Sequence, residues 1–408
     1  MKVRSYRNSD REAALRIWRE VGWIEDDFPK EEAVLRFIQN GRATVVEIHG
    51  EPEAIATTLS GDIQLCGNRI PFAGLTSVTA GRVARKSGAA GAATAHVLAE
   101  EADAGAAAAG LSMFEQGYYN RLGFGTGSYE HFFSFDPATL KVPVGDRIPV
   151  RLDPQEFERI HAARLMRTRP FGSISLSSPS ITELAIAECK NGFGLGFYEK
   201  HELTHLFWAS SKGEYGPYRI FFMAYRSWEQ FIELLGVLRR LGDQVRLVKM
   251  VEPPFFQVQD LLEKPFTRQT ITQGGKYENS IAAEAFWQLR ILDLQRCIRA
   301  LTFPRATQVR FTLALEDPIS AYLSGREGWR GIGGEYTITL GPESEVESGA
   351  AADLPRVKAT VGAFSRLMFG VLPASSLAVT DQLQATPELL RQLDATIRLP
   401  IPHFDWLF

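Results

Sequence analysis

The chain has 408 residues, too many for one ordinary core, so length alone suggests two or three domains. With 45% hydrophobic and 23% charged residues it reads as a soluble globular protein, and a formal net charge of −3 argues against a basic face for nucleic acid or an anionic membrane. No stretch reaches the roughly 18 apolar residues of a membrane span, and the first residues lack the apolar run of a secretory signal. Cys66, Cys189 and Cys297 are odd in number and in no metal or redox spacing, so reduced thiols in a cytoplasmic protein are expected.

In chain order, a strand is expected at residues 2–6. A helix follows, with Ser9 and Glu12 at capping-box spacing and Leu15, Trp18 and Val21 on one face. Pro29 should open a second helix and Gly41 close it. Strands are expected at 43–48, 54–63 and 72–79, with Gly67-Asn68 as the hairpin turn between the last two. A Gly/Ala-rich loop then leads into a helix to about residue 104 and a strand near 106–114. The alanines at 106–109 prefer helix by propensity, so that strand rests on topology.

Pro137, Pro143 and Pro149 punctuate the exit from this region. A helix from Pro154 comes next, then a Ser/Pro-rich stretch at 173–180 and strands at 194–198, 204–210 and 219–225. A helix at 228–241 and a strand at 244–250 repeat the strand–helix–strand order of the first region, which suggests an internal duplication. No glycine loop separates Tyr225 from Trp228, so this copy should not hold a ligand in the same way. The last region starts near Phe286, with alternating strands at 309–315 and 336–340 and helices around 363–371 and 387–394. Its very apolar end, Phe404-Asp405-Trp406-Leu407-Phe408, should be docked rather than frayed.

The chemistry concentrates at residues 78–91, where a strand runs through Arg85-Lys86-Ser87-Gly88-Ala89-Ala90 into a helix. Small residues let the backbone approach an anion such as a pyrophosphate, the N–H groups and helix start point at it, and Arg85 and Lys86 add formal charge. Taken alone, the stretch reads equally as a tight strand-to-helix turn. One helix and one strand later comes Glu115-Gln116-Gly117-Tyr118-Tyr119-Asn120-Arg121-Leu122-Gly123-Phe124.

The Arg-x-x-Gly-x-Ala loop resembles the acyl-CoA signature of the GNAT superfamily of N-acetyltransferases, and Tyr119-Asn120-Arg121-Leu122-Gly123-Phe124 resembles the segment that follows its fifth strand. Over its full length the chain resembles the enhanced intracellular survival (Eis) type of acetyltransferase. It departs from that family in the alanines after Gly88 and in Arg82, where proline is frequent. The resemblance implies a mixed α/β (α+β) fold. Tandem GNAT folds would occupy residues 1–145 and 146–285, the second without the CoA loop, and a sterol-carrier-protein-like α+β domain residues 286–408. It also implies acetyl-CoA as cosubstrate, no metal, and a homo-oligomer, in this family a homohexamer.

Carried over by position, Val78, Thr79 and Ala80 are cofactor-binding, a backbone N–H at or beside Val78 acting as oxyanion donor. Arg85, Lys86, Ser87, Gly88, Ala89 and Ala90 hold the cofactor. Tyr119 is the general acid, with Tyr118 as its competitor, and the Phe408 carboxylate is the general base or a stabiliser of the cation formed. Trp23, Asp26, Asp27, Phe28, Glu115 and Asp405 are the candidates for gathering a cationic amine or a lysine-bearing substrate, with Glu25 in the same acidic run.

His201-Glu202-Leu203-Thr204-His205 has H-E-x-x-H spacing, which binds zinc only on a helix. Here it reads as a hairpin, where the two rings would stand ~13 Å apart. His403 is a candidate proton relay. The rival reading is a binding protein whose C-terminal domain carries an apolar ligand on a vestigial GNAT fold. A milder rival keeps catalysis with a longer acyl group.

Overall fold

The computed structural model describes residues 1–24, 28–113, 115–263 and 275–408, without the side chains of Phe28 and Pro29. Asp26 and Asp27, with Glu25, lie outside the described residues. The fold is mixed α/β, built among the described residues on three sheets. By packing, the chain forms two units: Met1–Ser128 with Pro170–Ser178 and Phe286–Phe408, and Tyr129–Arg169 with Pro179–Ala285. Residues 129–145 therefore belong to the second unit's packing, and the whole of 286–408 to the first.

In the first unit, β1 (Lys2–Ser5) is followed by α1 (Arg11–Glu20) and α2 (Phe28–Asn40). The capping box expected from Ser9 does not form. Asp10 instead accepts the Arg7 N–H and pairs with Arg4 at 2.7 Å, tying the approach to α1 onto β1. Then come β2 (Arg42–Ile48), β3 (Glu51–Leu65) and β4 (Asn68–Ala80) as antiparallel neighbours. The β3–β4 turn is made by Cys66 and Gly67, at φ +43° and +83°, one residue before the expected position. Two left-handed residues are what a two-residue hairpin loop requires.

After the loop come α3 (Ala89–Asp103), β5 (Ala108–Ser112), α4 (Gln116–Asn120) and β6 (Gly125–Thr126). The alanines of β5 are strand, against propensity, because both flanks are occupied. β4 pairs with it in parallel on one side and the strand Trp287–Ile291 antiparallel on the other, with β6 beyond. Ile174–Leu176 adds antiparallel to β3. This short strand lies inside the stretch read as Ser/Pro-rich, and the helix Ser180–Glu188 that follows was not expected either.

The same unit holds a five-stranded sheet in the order Glu345–Ser348, Gly334–Leu340, Val309–Glu316, Arg356–Thr360, Leu383–Gln384. Phe311, Leu313, Ile338 and Leu340 are fully buried, as the alternation predicts. The helices Val361–Met368 and Pro387–Thr396 match the expected pair, and Leu294–Arg299 and Ala374–Thr380 join them.

The second unit is a seven-stranded sheet in which Tyr218–Ala224 and Val248–Val251 pair in parallel and the helix Trp228–Arg240 connects them. This repeats the β4–α3–β5 arrangement. Its final strands are Glu130–Phe135 and Ser280–Glu284, antiparallel to each other, with Glu130–Phe135 beside Val248–Val251. The H-E-x-x-H residues fall on a hairpin: Lys200 turns at φ +58° and Glu202–Ser211 is strand. His205 is buried with Nε2 2.9 Å from Glu233 and its ring stacked on Phe197. Among the described residues no group of three or more His, Cys, Asp or Glu is placed to hold a metal ion.

Candidate active site

β4 carries two irregularities that open the sheet. Ile55 pairs with Thr79 and Thr57 with Thr76, so Ala56 alone faces both Ser77 and Val78. Ser77 sits at φ +55°, the mark of a bulge that bends the strand and re-aims its peptide groups. Thr79 Oγ1 donates to the Ser77 carbonyl at 2.9 Å across it. On the other edge β4 pairs with β5 only at Phe72–Ala108, Ala73–Ala109 and Gly74–Gly110, and beyond that rung the strands diverge. Val78, Thr79 and Ala80 thus lie on the open arm of a fork.

The fork leads into the loop 81–88. Its start is tied to α1: Arg82 N–H donates to Glu20 Oε2 at 2.7 Å, and Gly81 N–H to the Glu53 carbonyl at 2.8 Å. The Arg82 N–H bond, aided by Arg16, holds the Glu20 carboxyl below its ordinary range. Farther on, Ser87 N–H and Oγ both donate to the Ala84 carbonyl. Lys86 and Gly88 adopt φ +60° and +86°. Nothing lies within 4 Å of where a Gly88 Cβ would stand, so glycine is demanded there by the backbone angle and the space above the helix start is open. Arg85, Lys86, Ser87 and Gly88 are exposed, and Arg85 and Lys86 have no ion pair among the described residues. Ala89 and Ala90 begin α3, whose first turn holds no acidic residue. Ala89 N–H donates to Ser87 Oγ at 3.3 Å, and Gly88 offers no side-chain cap for the N–H groups beyond it. Left-handed residues, cations without an ion pair and a helix start together have the chemistry to receive an anion.

The matching helix of the second unit is closed. Ser227 Oγ accepts the Gln230 N–H, Gln230 Oε1 accepts the Arg226 N–H at 2.8 Å, and Glu229 occupies the first turn. Here a side chain caps the third N–H of the helix, which no capping side chain does in α3.

Tyr119 lies on α4. Glu115 caps this helix, its carboxylate accepting the Gly117 and Tyr118 N–H groups at 3.0 and 2.6 Å, so the candidate substrate carboxylate is engaged by backbone. Tyr119 is buried in the apolar cluster that also holds Leu75, Val78, Ala89 and Ala93, edge-on to Tyr118 and Phe124. Burial pushes its phenol above the ordinary value. The Tyr118 phenol is pushed up to about 12, first by burial, and its hydroxyl is enclosed without a hydrogen bond of normal geometry.

The turn after Tyr119 is held by residues that sequence reading passed over. Arg290, fully buried, donates to the Leu122 carbonyl and to Asp317 at 2.7 Å. Asp317 also accepts the Ile319 and Ile332 N–H groups. Neither Arg290 nor Asp317 belongs to a motif, and nothing in the sequence marks them as partners.

The C-terminal segment reaches the fork from the face opposite α3. Ala73, Leu75, Ala109 and Leu111 cluster with α3, so the alternate residues Phe72, Gly74 and Gly110 face away from it. There a Cβ on Gly74 would lie 3.1 Å from the Phe408 ring, and one on Gly110 3.0 Å from the Phe404 ring. The segment is strapped in place. His403 N–H donates to the Phe171 carbonyl at 3.1 Å, Asp405 Oδ1 accepts the Ile174 N–H at 3.0 Å, and Ser128 Oγ donates to the Pro402 carbonyl. Asp405 therefore acts on the short strand Ile174–Leu176, the strap of this segment. Trp23 is part-exposed, its ring edge-on to Trp18 at 5.3 Å. Phe28 begins α2.

Residues 2–127 match the family of GNAT acetyltransferase domains, and residues 294–405 the family of sterol carrier protein domains. No curated protein matches the chain by sequence. Among solved structures it is similar to a probable N-acyltransferase from Enterococcus faecalis, with 15% identity, a TM-score of 0.81, and coverage of 100% of this chain and 99% of that one. A GCN5-related N-acetyltransferase from Anabaena variabilis has 15% identity and a TM-score of 0.77, with both chains covered completely. Eis1 from Mycobacterium abscessus has 15% identity and a TM-score of 0.76, again over both whole chains. At these identities the likeness is one of fold.

Proposed function

We propose, for a chain that carries a GNAT acetyltransferase domain and a sterol carrier protein domain, that it transfers acetyl from acetyl-CoA to a primary amine. The observation that carries this reading is one continuous path. The open helix start with Lys86 and Gly88 receives the pyrophosphate, and the open arm of β4 leads from there to the fork. From Ala80 the open arm runs to the Ser77–Val78 bulge, where the thioester would lie, and on to the Gly74 rung, so the pantetheine ends at the bulge and the acyl group takes the strand length beyond it.

In this reading the amine nitrogen attacks the thioester carbonyl carbon, and the oxygen takes the displaced electron pair while a backbone N–H near the Ser77–Val78 bulge donates to it. The carbon–sulfur bond then breaks. The thiolate takes the Tyr119 proton, and the amide nitrogen gives up its own through water or toward the Phe408 carboxylate. A buried phenol is a weak acid, but the same desolvation raises the leaving thiolate's affinity for a proton, so the transfer stays balanced. The acceptor is a small polyamine-like or aminoglycoside-like cation or a lysine side chain, and assembly as a homohexamer belongs to the same reading.

Calorimetry with acetyl-CoA, and turnover against a panel of primary amines, test the proposal. Micromolar binding weakened by Lys86→Ala is expected. No binding, and no acetylated amine in the panel, would refute it.

A further inference from the structure

The narrow end of the fork is not empty space. A Cβ on Gly74 would come within 2.9 Å of Leu176 Cδ2 and 3.1 Å of the Phe408 ring. One on Gly110 would come within 2.8 Å of the Phe72 ring, 3.0 Å of the Phe404 ring and 3.1 Å of the Gln288 carbonyl. These two glycines are partners on the last paired rung of β4 and β5. Phe404 is itself fixed, stacked on Trp287 with centroids 4.9 Å apart and planes at 13°, and tilted against Phe408 at 5.4 Å. Phe72, Leu176, Trp287 and Phe404 are all at most 3% exposed. A fork between two strands is open by nature on both faces of its sheet. Here one face carries α3, and the other is closed by rings from the C-terminal segment and by a leucine from the strap.

Resting on the acyl-CoA reading above, we infer that Phe404, Phe408 and Leu176 set the length of the acyl group the enzyme accepts, admitting acetyl and groups of comparable size and excluding longer chains. A thioester delivered along β4 from the helix start arrives at the fork from the α3 side. Its acyl group points through the fork toward the opposite face, where the amine must reach the carbonyl. Each added methylene drives the chain toward the packed rings. A close-packed wall of aromatic and branched side chains held by stacking and by the strap yields poorly to an inserted methylene. Glycine at 74 and 110 gives the backbone its closest approach to the plug, so the space that remains is fixed by the plug's own side chains.

S-alkyl-CoA thioethers, which bind but cannot react, read this directly by calorimetry. For the unaltered chain, S-ethyl-CoA should bind best and S-hexyl-CoA about ten-fold more weakly or worse. Leu176→Ala and Phe404→Ala remove atoms from the plug and should bring S-hexyl-CoA to within a few-fold of S-ethyl-CoA, while S-ethyl-CoA itself changes little. Acyl transfer from acetyl-CoA and hexanoyl-CoA should follow the same order. If S-hexyl-CoA and S-ethyl-CoA bind the unaltered chain equally, the inference is wrong, whether or not either variant folds. It is equally wrong if a variant with a native circular dichroism spectrum keeps the original discrimination. Failure of every thioether to bind would sink the acyl-CoA reading as well, which separates the two outcomes.

Discussion

Tyr118 and Tyr119 are adjacent on one short helix, Tyr119 inside the apolar cluster and Tyr118 packed against it. Tyr119 sits in the cluster that contains the bulged strand, and the register Tyr-x-Arg-x-Gly-aromatic falls on it. Tyr119→Phe should lower kcat about 100-fold with acetyl-CoA affinity unchanged, while Tyr118→Phe keeps most of the rate. The pH dependence has a definite sign. A general acid works while protonated, and burial raises both phenols, so the fall in rate that an ordinary phenol would give near ~10 should be displaced upward. A kcat/KM profile with a phenolic limb at or below that value would contradict the assignment. Gly88 is a simpler case: at φ +86° any L side chain is strained, so Gly88→Ala should cost about 1–2 kcal/mol in thermal unfolding and weaken acetyl-CoA binding.

Among the elements, the strap at Ile174–Leu176 matters for what it holds. It adds to β3 through ladder bonds and then uses Phe171 and Ile174 to fix the C-terminal segment. Asp405→Ala leaves the Ile174 N–H without its acceptor, whereas Asp405→Asn keeps an oxygen in place. The expected outcome is a several-fold loss of kcat for the alanine variant, near-complete recovery for asparagine, and an unchanged KM for acetyl-CoA. Equal loss in both variants would show that the charge acts on substrate instead. The contrast between α3 and the helix Trp228–Arg240 belongs at this scale too. Both follow a strand that begins a parallel pair, but one helix start is open and the other is capped by Ser227 and Gln230.

For the molecule as a whole, the first unit is assembled from three separate segments of chain. The strand Trp287–Ile291 completes the sheet that β5 belongs to, and from it Arg290 grips the turn after Tyr119. The Arg290–Asp317 pair is fully buried, so removing one partner strands an uncompensated charge. Asp317→Ala should destabilise the first unit by about 3–5 kcal/mol in urea unfolding, and it should lower kcat through the loosened Tyr119 turn. A loss below about 1 kcal/mol would mean that water reaches the pair and that the turn is held some other way.

The sequence by itself determined the elements whose cause is local. Alternation placed Val309–Glu316 and Gly334–Leu340, proline and glycine bounded α2, and the run from Arg85 to Ala90 marked a strand-to-helix turn with exposed cations. The missing glycine loop before Trp228 was legible for the same reason. Tertiary structure alone decided what depends on neighbours distant in the chain. β5 is the strand that the order of elements led one to expect, and what holds its alanines extended against their propensity is the pair of flanking strands that supply its hydrogen bonds. Ser77 carries the bulge with no glycine to announce it, Glu115 accepts the Gly117 and Tyr118 N–H groups, and Asp405 accepts the Ile174 N–H. Arg290 and Asp317 meet only when the chain is folded. Local spacing fixes which backbone angles and faces a segment prefers. Which polar groups find partners, and which glycines must stay small, is set by what packs against them.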